Sequence, residues 1–197
     1  MGIIGDQPGY QEAVARHGQP VERTYRYEVS ADTYDYWERV LRRRLAEVVL
    51  IVSCHTGRYL VHTKAFYPPG TYRLLSGGLA SGEDLLVGAR RELQEETGLE
   101  GGIERFLAVQ THRFQRNGAS LPFYSYLFLV DAQGGQPTVL DDQEQITEFR
   151  EVDRQGLRVL AERLDSMGPA WAEWGHFRAT SHWLVWELLA GSEGDGG

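Results

Sequence analysis

The stretch from Gly77 to Leu99 constrains the fold more than any other part of this chain. From about Glu83 to Thr97 it suits a helix, which turns about 100° per residue. On such a helix Leu85, Leu86, Ala89 and Leu93 form an apolar stripe. Glu92, Glu95 and Glu96 form a second stripe beside it, because positions three and four apart are neighbours. The helix must dock on an apolar layer and still hold three carboxylates at the edge of a cleft. Each like-charged pair costs a few tenths of a kcal/mol on an isolated helix. The charges also sit near the C-terminal end, where the helix dipole disfavours anions. A divalent cation removes that conflict, and oxygen donors suit Mg²⁺ or Mn²⁺. A solvated acidic face partnered by Arg90 and Arg91 is the alternative, and helix geometry leaves both open.

The spacing of the whole stretch is more specific. It satisfies all nine fixed positions of the pattern G-x5-E-x7-R-E-U-x-E-E-x-G-U, where U is apolar: Gly77, Glu83, Arg91, Glu92, Leu93, Glu95, Glu96, Gly98 and Leu99. At average residue usage a chance match at a given position is on the order of 10⁻⁹ to 10⁻¹⁰. This pattern is the Nudix box, and the chain resembles Nudix hydrolases.

The resemblance implies an α/β fold, an α/β/α sandwich around a mixed sheet, and Mg²⁺ (or Mn²⁺) as cofactor. Glu92, Glu95 and Glu96 would bind the metal, with the Gly77 carbonyl as a further ligand. Arg91 and Glu83 would orient the catalytic turn, and Gly98 would end the helix in a left-handed cap. The family often adds a base or metal-binding carboxylate near the penultimate strand. In this chain the candidates lie in Asp141–Glu148, with Glu144 first and Glu148 next, against a solvated acidic loop.

The flanking sequence fits such a sandwich. Val21–Val29 alternates as a strand, and Ser30 can cap a helix over Tyr34–Leu41 that ends in Arg42, Arg43 and Arg44. Those arginines read as a solvated helix end, with a phosphate patch as the alternative. Strands are expected at 46–54, 58–66, 72–75, 103–114, 121–131 and 145–152, with a turn at His55-Thr56-Gly57. Helices are expected at 153–165 and 170–189. The second carries Trp171, Trp174, Phe177, Trp183 and Trp186 near helical spacing, as core or a subunit contact rather than a base-stacking surface. Residues 1–20 suggest a loose arm or a short helix. The resulting division is an N-terminal extension (1–45), a hydrolase domain (46–190) and a disordered tail (191–197).

Composition narrows the partners. A net charge of −8 argues against general affinity for nucleic-acid polymers. It allows a small phosphorylated substrate, since a metal and a few local cations can reverse a pocket's sign. Cys54 is the single cysteine; it rules out an intrachain disulfide and a cysteine zinc cage, and reads as an inert thiol. No apolar run approaches the roughly 20 residues of a membrane span, and the N-terminus lacks the pattern of a secretory signal. The expectation is a cytoplasmic enzyme. His62, His112, His176 and His182 read as packing or surface residues rather than catalytic ones.

The expected reaction is hydrolysis of a phosphoanhydride in a nucleoside diphosphate derivative, releasing a nucleoside monophosphate. The N-terminal strand resembles the added β-structure of ADP-ribose and nucleotide-sugar hydrolases, which are usually dimers. That favours ADP-ribose or a nucleotide sugar and a homodimer. Arg113, Phe114, Arg116, Tyr124 and Tyr126 could serve a nucleotide or merely pack. No proline, tyrosine or coenzyme A signature of a specific substrate class stands at its expected place. A hydrolase of non-standard nucleoside triphosphates and a non-catalytic nucleotide-derivative sensor are the alternatives.

Overall fold

The computed structural model describes residues 4–54, 57–132, 134–139 and 144–190. His55 and Thr56 of the expected turn, Asp141, Asp142 and Gln143, and the tail 191–197 lie outside the described residues. The chain runs α1 (Tyr10–His17), β1 (Val21–Glu28), α2 (Ala31–Leu41), β2 (Ala46–Ser53), β3 (Tyr59–Lys64), β4 (Leu75–Gly78) and α3 (Leu85–Thr97). It continues through β5 (Gly101–Arg116), β6 (Ala119–Ala132), β7 (Ile146–Val152), α4 (Arg154–Asp165) and α5 (Ala172–Leu189).

One mixed sheet runs β1-β5-β6-β2-β3-β7, with β4 paired to β2. β1 lies parallel to β5 and β2 parallel to β6, while the other pairs are antiparallel. β2 is apolar on both faces because both are covered. Val48, Leu50 and Val52 pack into the layer of α1 and α3, and Val49 and Ile51 into the layer of α4 and α5. Burying each such side chain stabilises the fold by roughly 1.5–3 kcal/mol relative to exposure. The result is the expected α/β/α sandwich. A third, aromatic cluster of Trp37, Phe114, Phe123 and Phe177 joins α2 and α5 to the ends of β5 and β6.

The box helix forms as its sequence directs. Asp84 caps α3, its Oδ1 accepting from the amides of Leu86 (2.9 Å) and Val87 (3.1 Å). Gly98 closes it in the left-handed conformation at φ 64°, where a side chain would be strained. Leu85, Leu86, Ala89 and Leu93 are buried against the sheet, while Val87 faces solvent.

One expectation shifts, and of the two alternatives for the N-terminal arm the helix forms. The short strand expected at 72–75 forms its ladder at Leu75–Gly78, against β2, and Arg73 makes only an isolated bridge to His62. The available partner sets this register, and the glycine pair that propensity disfavours is tolerated for its lack of side chains. The N-terminal arm contains a real helix, α1, held by tertiary contacts: Tyr10 packs edge-on against Phe106 at 5.7 Å, Ala13 is buried, and the Leu85 amide donates to Pro8 O at 2.8 Å. Cys54 is half-buried, with its thiol pKa raised to about 11 by burial and by Glu151; both fit an inert thiol. Among the described residues no helix is long and apolar enough to cross a membrane.

Candidate active site

β4 delivers Gly77 and Gly78 to the open side of α3. A Cβ on Gly77 would fall inside the Glu92 carboxylate, so glycine is what lets that carboxylate lie against the strand. Arg91 ties the pieces together. Its Nε donates to Glu83 Oε1 at 2.8 Å and its Nη2 to Glu83 Oε2 at 3.1 Å, a two-pronged pair. Nη2 also donates to Gly78 O at 3.0 Å. Nη1 donates to Glu92 Oε1 at 2.8 Å and Glu95 Oε2 at 2.7 Å. Glu83 in turn accepts from the Ala80 amide at 2.8 Å. The Arg91 hydrogen bonds hold the Glu83 pKa below its usual value, and Glu83 in turn raises that of Arg91.

The three box glutamates have different surroundings. Glu95 is partly exposed. Glu92 is buried, and desolvation raises its pKa despite Arg91. Glu96 is fully buried at 0 % exposure, and neither of its carboxylate oxygens accepts a hydrogen bond. Burial raises its pKa to about 8, against the opposing pull of Arg73 and Lys64. The nearest cation is Lys64, from the end of β3, with Nζ 3.6 Å from Glu96 Oε1. The same ammonium lies 2.5 Å from Glu144 Oε2. Glu144, expected near the penultimate strand, is thus brought to the box helix. Glu148 is exposed and paired with Arg150 at 2.7 Å instead.

Among the described residues no three acidic, histidine or cysteine side chains are grouped closely enough to hold a metal as they stand. Arg91 stands between Glu92 and Glu95, and Lys64 between Glu96 and Glu144. The donor set still fits a hard divalent cation. It offers only oxygen ligands, and two buried oxygens of Glu96 lack partners, which is costly for a carboxylate unless a cation meets them.

Beneath β4, on the α5 face of the sheet, lies a buried polar network that the sequence did not announce. Arg178 of α5 donates to both oxygens of Glu47 at 3.0 Å and to Ser76 Oγ at 3.2 Å. Arg73 donates to Ser76 Oγ at 2.7 Å and Tyr67 Oη at 2.7 Å. Ser125 Oγ donates to Glu47 Oε1 at 2.9 Å. His112 must therefore donate from Nε2 to Ser125 (3.1 Å) and accept at Nδ1 from Tyr27 Oη (3.0 Å). Burial opposes charge on Glu47, but Arg178 and Ser125 outweigh it and lower its pKa. The sequence signal was Glu47 itself, a carboxylate opening an otherwise apolar strand. Arg178, which pairs with it, carries no comparable signal.

A family model for the NUDIX domain matches residues 42–174. The chain belongs to the Nudix family. The match covers every box residue, Lys64 and Glu144, and its activity class is that of a Nudix pyrophosphohydrolase. Several solved structures are similar to the chain. A NUDIX hydrolase from Nitrosomonas europaea is 15% identical with a TM-score of 0.49, over 73% of this chain and 90% of its own. A crystal structure of a NUDIX hydrolase from the same organism is 22% identical with a TM-score of 0.43, over 57% of this chain and 59% of that one. A UDP-X diphosphatase is 17% identical with a TM-score of 0.51, over 84% of this chain and 73% of its own. No curated protein matches.

Proposed function

We propose that this Nudix protein hydrolyses the phosphoanhydride of a nucleoside diphosphate linked to a second group, with ADP-ribose or a nucleotide sugar as substrate and Mg²⁺ or Mn²⁺ as cofactor. The observation that carries the reading is Glu96, a carboxylate buried beside two further box glutamates with no donor on either oxygen.

Glu92, Glu95 and Glu96 would hold the cation, with the Gly77 carbonyl beside them. A bound divalent cation supplies charge neutralisation of the diphosphate and a lowered pKa for water. Arg91 and Glu83 fix the loop and helix against each other, so the carboxylates are oriented before substrate arrives. For Glu92 and Glu95 to hold a cation, Arg91 Nη1 would release them while Nε and Nη2 would keep Glu83 and Gly78. Glu144 takes the proton of the attacking water. The new P–O bond forms as the bridging P–O bond breaks, giving a nucleoside monophosphate and a phosphorylated second product. Lys64 orients Glu144 and balances its charge.

The same reading includes cytoplasmic residence, a homodimer and no nucleic-acid polymer as partner; sedimentation velocity tests the dimer. The decisive experiment is a panel of ADP-ribose, nucleotide sugars and nucleoside triphosphates with Mg²⁺ or Mn²⁺, scored for monophosphate release. Glu95→Gln and Glu96→Gln are expected to abolish turnover with the fold intact. Undiminished activity in both variants defeats the site, and cleavage of triphosphates alone defeats the substrate class.

A further inference from the structure

The box accounts for the diphosphate and leaves the nucleoside without a seat. A cavity of about 240 Å³ opens between α2 and α5, outside the box, and reaches it through one side chain. That side chain is Arg44. Its guanidinium lies against the Cα of Gly78, where a Cβ would collide with it. The carbonyl of the same Gly78 accepts from Arg91. Gly78 therefore touches both Arg44, which lines the cavity, and Arg91, which holds the box glutamates.

The lining is aromatic, with the guanidinium of Arg44 at its edge. Trp37 and Phe177 are buried, and Trp174 is partly exposed. Trp37 is stacked on Phe114 at 4.1 Å, and Trp174 packs on Tyr67 at 4.9 Å and Trp171 at 5.2 Å, so the rings are held in place. The acidic groups are already engaged. Glu47 takes Arg178 on both oxygens, and Glu173 accepts from the Ser30 amide at 2.7 Å and hydroxyl at 2.9 Å. The Glu47 carboxylate is held by Arg178 and Ser125, which leaves Arg44 acting on it through charge from the cavity's edge. Fixed rings beside a guanidinium fit a planar heterocycle carrying a phosphate. The volume falls below the roughly 300 Å³ at which pockets begin to enclose a whole drug-sized ligand. It suits one ring system rather than a complete nucleotide sugar.

We propose that this cavity seats the base of the substrate's nucleoside monophosphate half, with Trp174 stacking on it and Arg44 binding the phosphate nearest the ribose. This rests on the reading that the substrate is a nucleoside diphosphate derivative. It assigns base recognition to α2 and α5, elements that the box leaves free to differ.

The test is calorimetric titration of the metal-free protein with AMP, UMP, GMP and CMP, the matching nucleosides, and ribose 5-phosphate. At least one monophosphate is expected to bind at least about tenfold more tightly than ribose 5-phosphate, since stacking on a base is worth that order. Trp174→Ala weakens monophosphate and nucleoside alike, by about 5- to 150-fold. Trp174→Phe retains most of the affinity, which separates stacking from damage to the fold. Arg44→Ala weakens the monophosphate by about tenfold or more and leaves the nucleoside within about twofold. No monophosphate binding by the wild-type protein, equal affinity for ribose 5-phosphate, or unchanged affinities in both alanine variants overturns the assignment. If the substrate panel is cleaved and these variants bind normally, the seat is wrong and the activity stands. Variant-sensitive monophosphate binding without any hydrolysis leaves the seat standing and defeats the activity.

Discussion

The Lys64 ammonium lies 2.5 Å from Glu144 Oε2 and 3.6 Å from Glu96 Oε1, joining the loop before β7 to the buried end of the box helix. Glu144 is far from Glu96 in sequence, and only the antiparallel pairing of β3 with β7 brings it to that cation. In the proposed mechanism this carboxylate takes a proton from a water near the box. Glu144→Gln keeps the shape and removes the basicity. The expected result is a loss in kcat of about 10² to 10⁴, the usual range for a general base. A loss below about tenfold in steady-state assays removes Glu144 from that role.

Arg91 makes its contacts through a planar fork: two bonds to Glu83, one to Gly78 O and one each to Glu92 and Glu95. Lysine keeps the charge but cannot span that geometry. Arg91→Lys is expected to lower activity by about 10- to 100-fold, the range for groups that orient metal ligands, with an unchanged circular dichroism spectrum. Wild-type activity would mean that charge alone suffices.

At Gly77 a single methyl group meets the Glu92 carboxylate. The strand is fixed by its ladder to β2, so the carboxylate must move. Misplacement of a reacting group by about 1 Å can cost about 100-fold. Gly77→Ala should lose at least that much activity, and calorimetry should show weakened Mn²⁺ binding. Unaltered Mn²⁺ affinity would show that Glu92 is not a ligand.

Much of this arrangement is legible in the sequence, for identifiable reasons. The α3 stripe and the box carboxylates are readable because helix period and motif spacing coincide over Gly77–Leu99. The β5–β6 hairpin has a local cause: Asn117 and Gly118 both take positive φ, 49° and 81°, as a tight turn of that hand requires. By contrast, α1 owes its existence to Tyr10 and Ala13 meeting the sheet, and no local period announces it. β4 moved toward its glycines because the pairing partner outweighed propensity. Glu47, Arg73 and Arg178 come together from β2, the β3–β4 connection and α5, and Lys64 meets Glu96 and Glu144 from the end of β3. Their partnership is a product of topology, so spacing along the chain carries no trace of it. Arg44 was readable only as one of three arginines ending a helix, and its contact with Gly78 distinguishes it from Arg42 and Arg43.

Metal binding should appear as stability as well as activity. A ligand at about 100 times its Kd stabilises the folded state by about 2.7 kcal/mol. For a chain of this size that corresponds to a rise in Tm of about 5–10 °C. Protein stripped with EDTA and returned to saturating Mg²⁺ or Mn²⁺ should show this rise, and Glu96→Gln should lose most of it. An equal rise in the variant would place the ion elsewhere.

Acid should destabilise the fold through two buried imidazoles that are not among the proposed metal ligands. His112 accepts from Tyr27 and donates to Ser125, while His182 accepts from the Leu74 amide at 3.1 Å and donates to Arg178 O at 3.0 Å. Each arrangement needs a neutral ring. Burial lowers the pKa of His112 to about 3 and of His182 to about 4. An unfolded histidine titrates near 6.5, so below that pH the unfolded chain binds more protons than the folded one. The stability from these neutral rings is complete above pH 6.5 and is lost as pH falls through the folded values. At pH 5 the loss is about 2 kcal/mol for each histidine. Urea unfolding in EDTA at pH 7.5 and pH 5 measures it, and EDTA removes any contribution from bound metal. His112→Gln should shrink the difference between the two pH values by about 2 kcal/mol, because the glutamine has no proton to gain. Other titrating groups act equally in both proteins and cancel in the comparison. An identical pH dependence in wild type and His112→Gln would mean that His112 is protonated within the fold and that its bond from Tyr27 is misassigned.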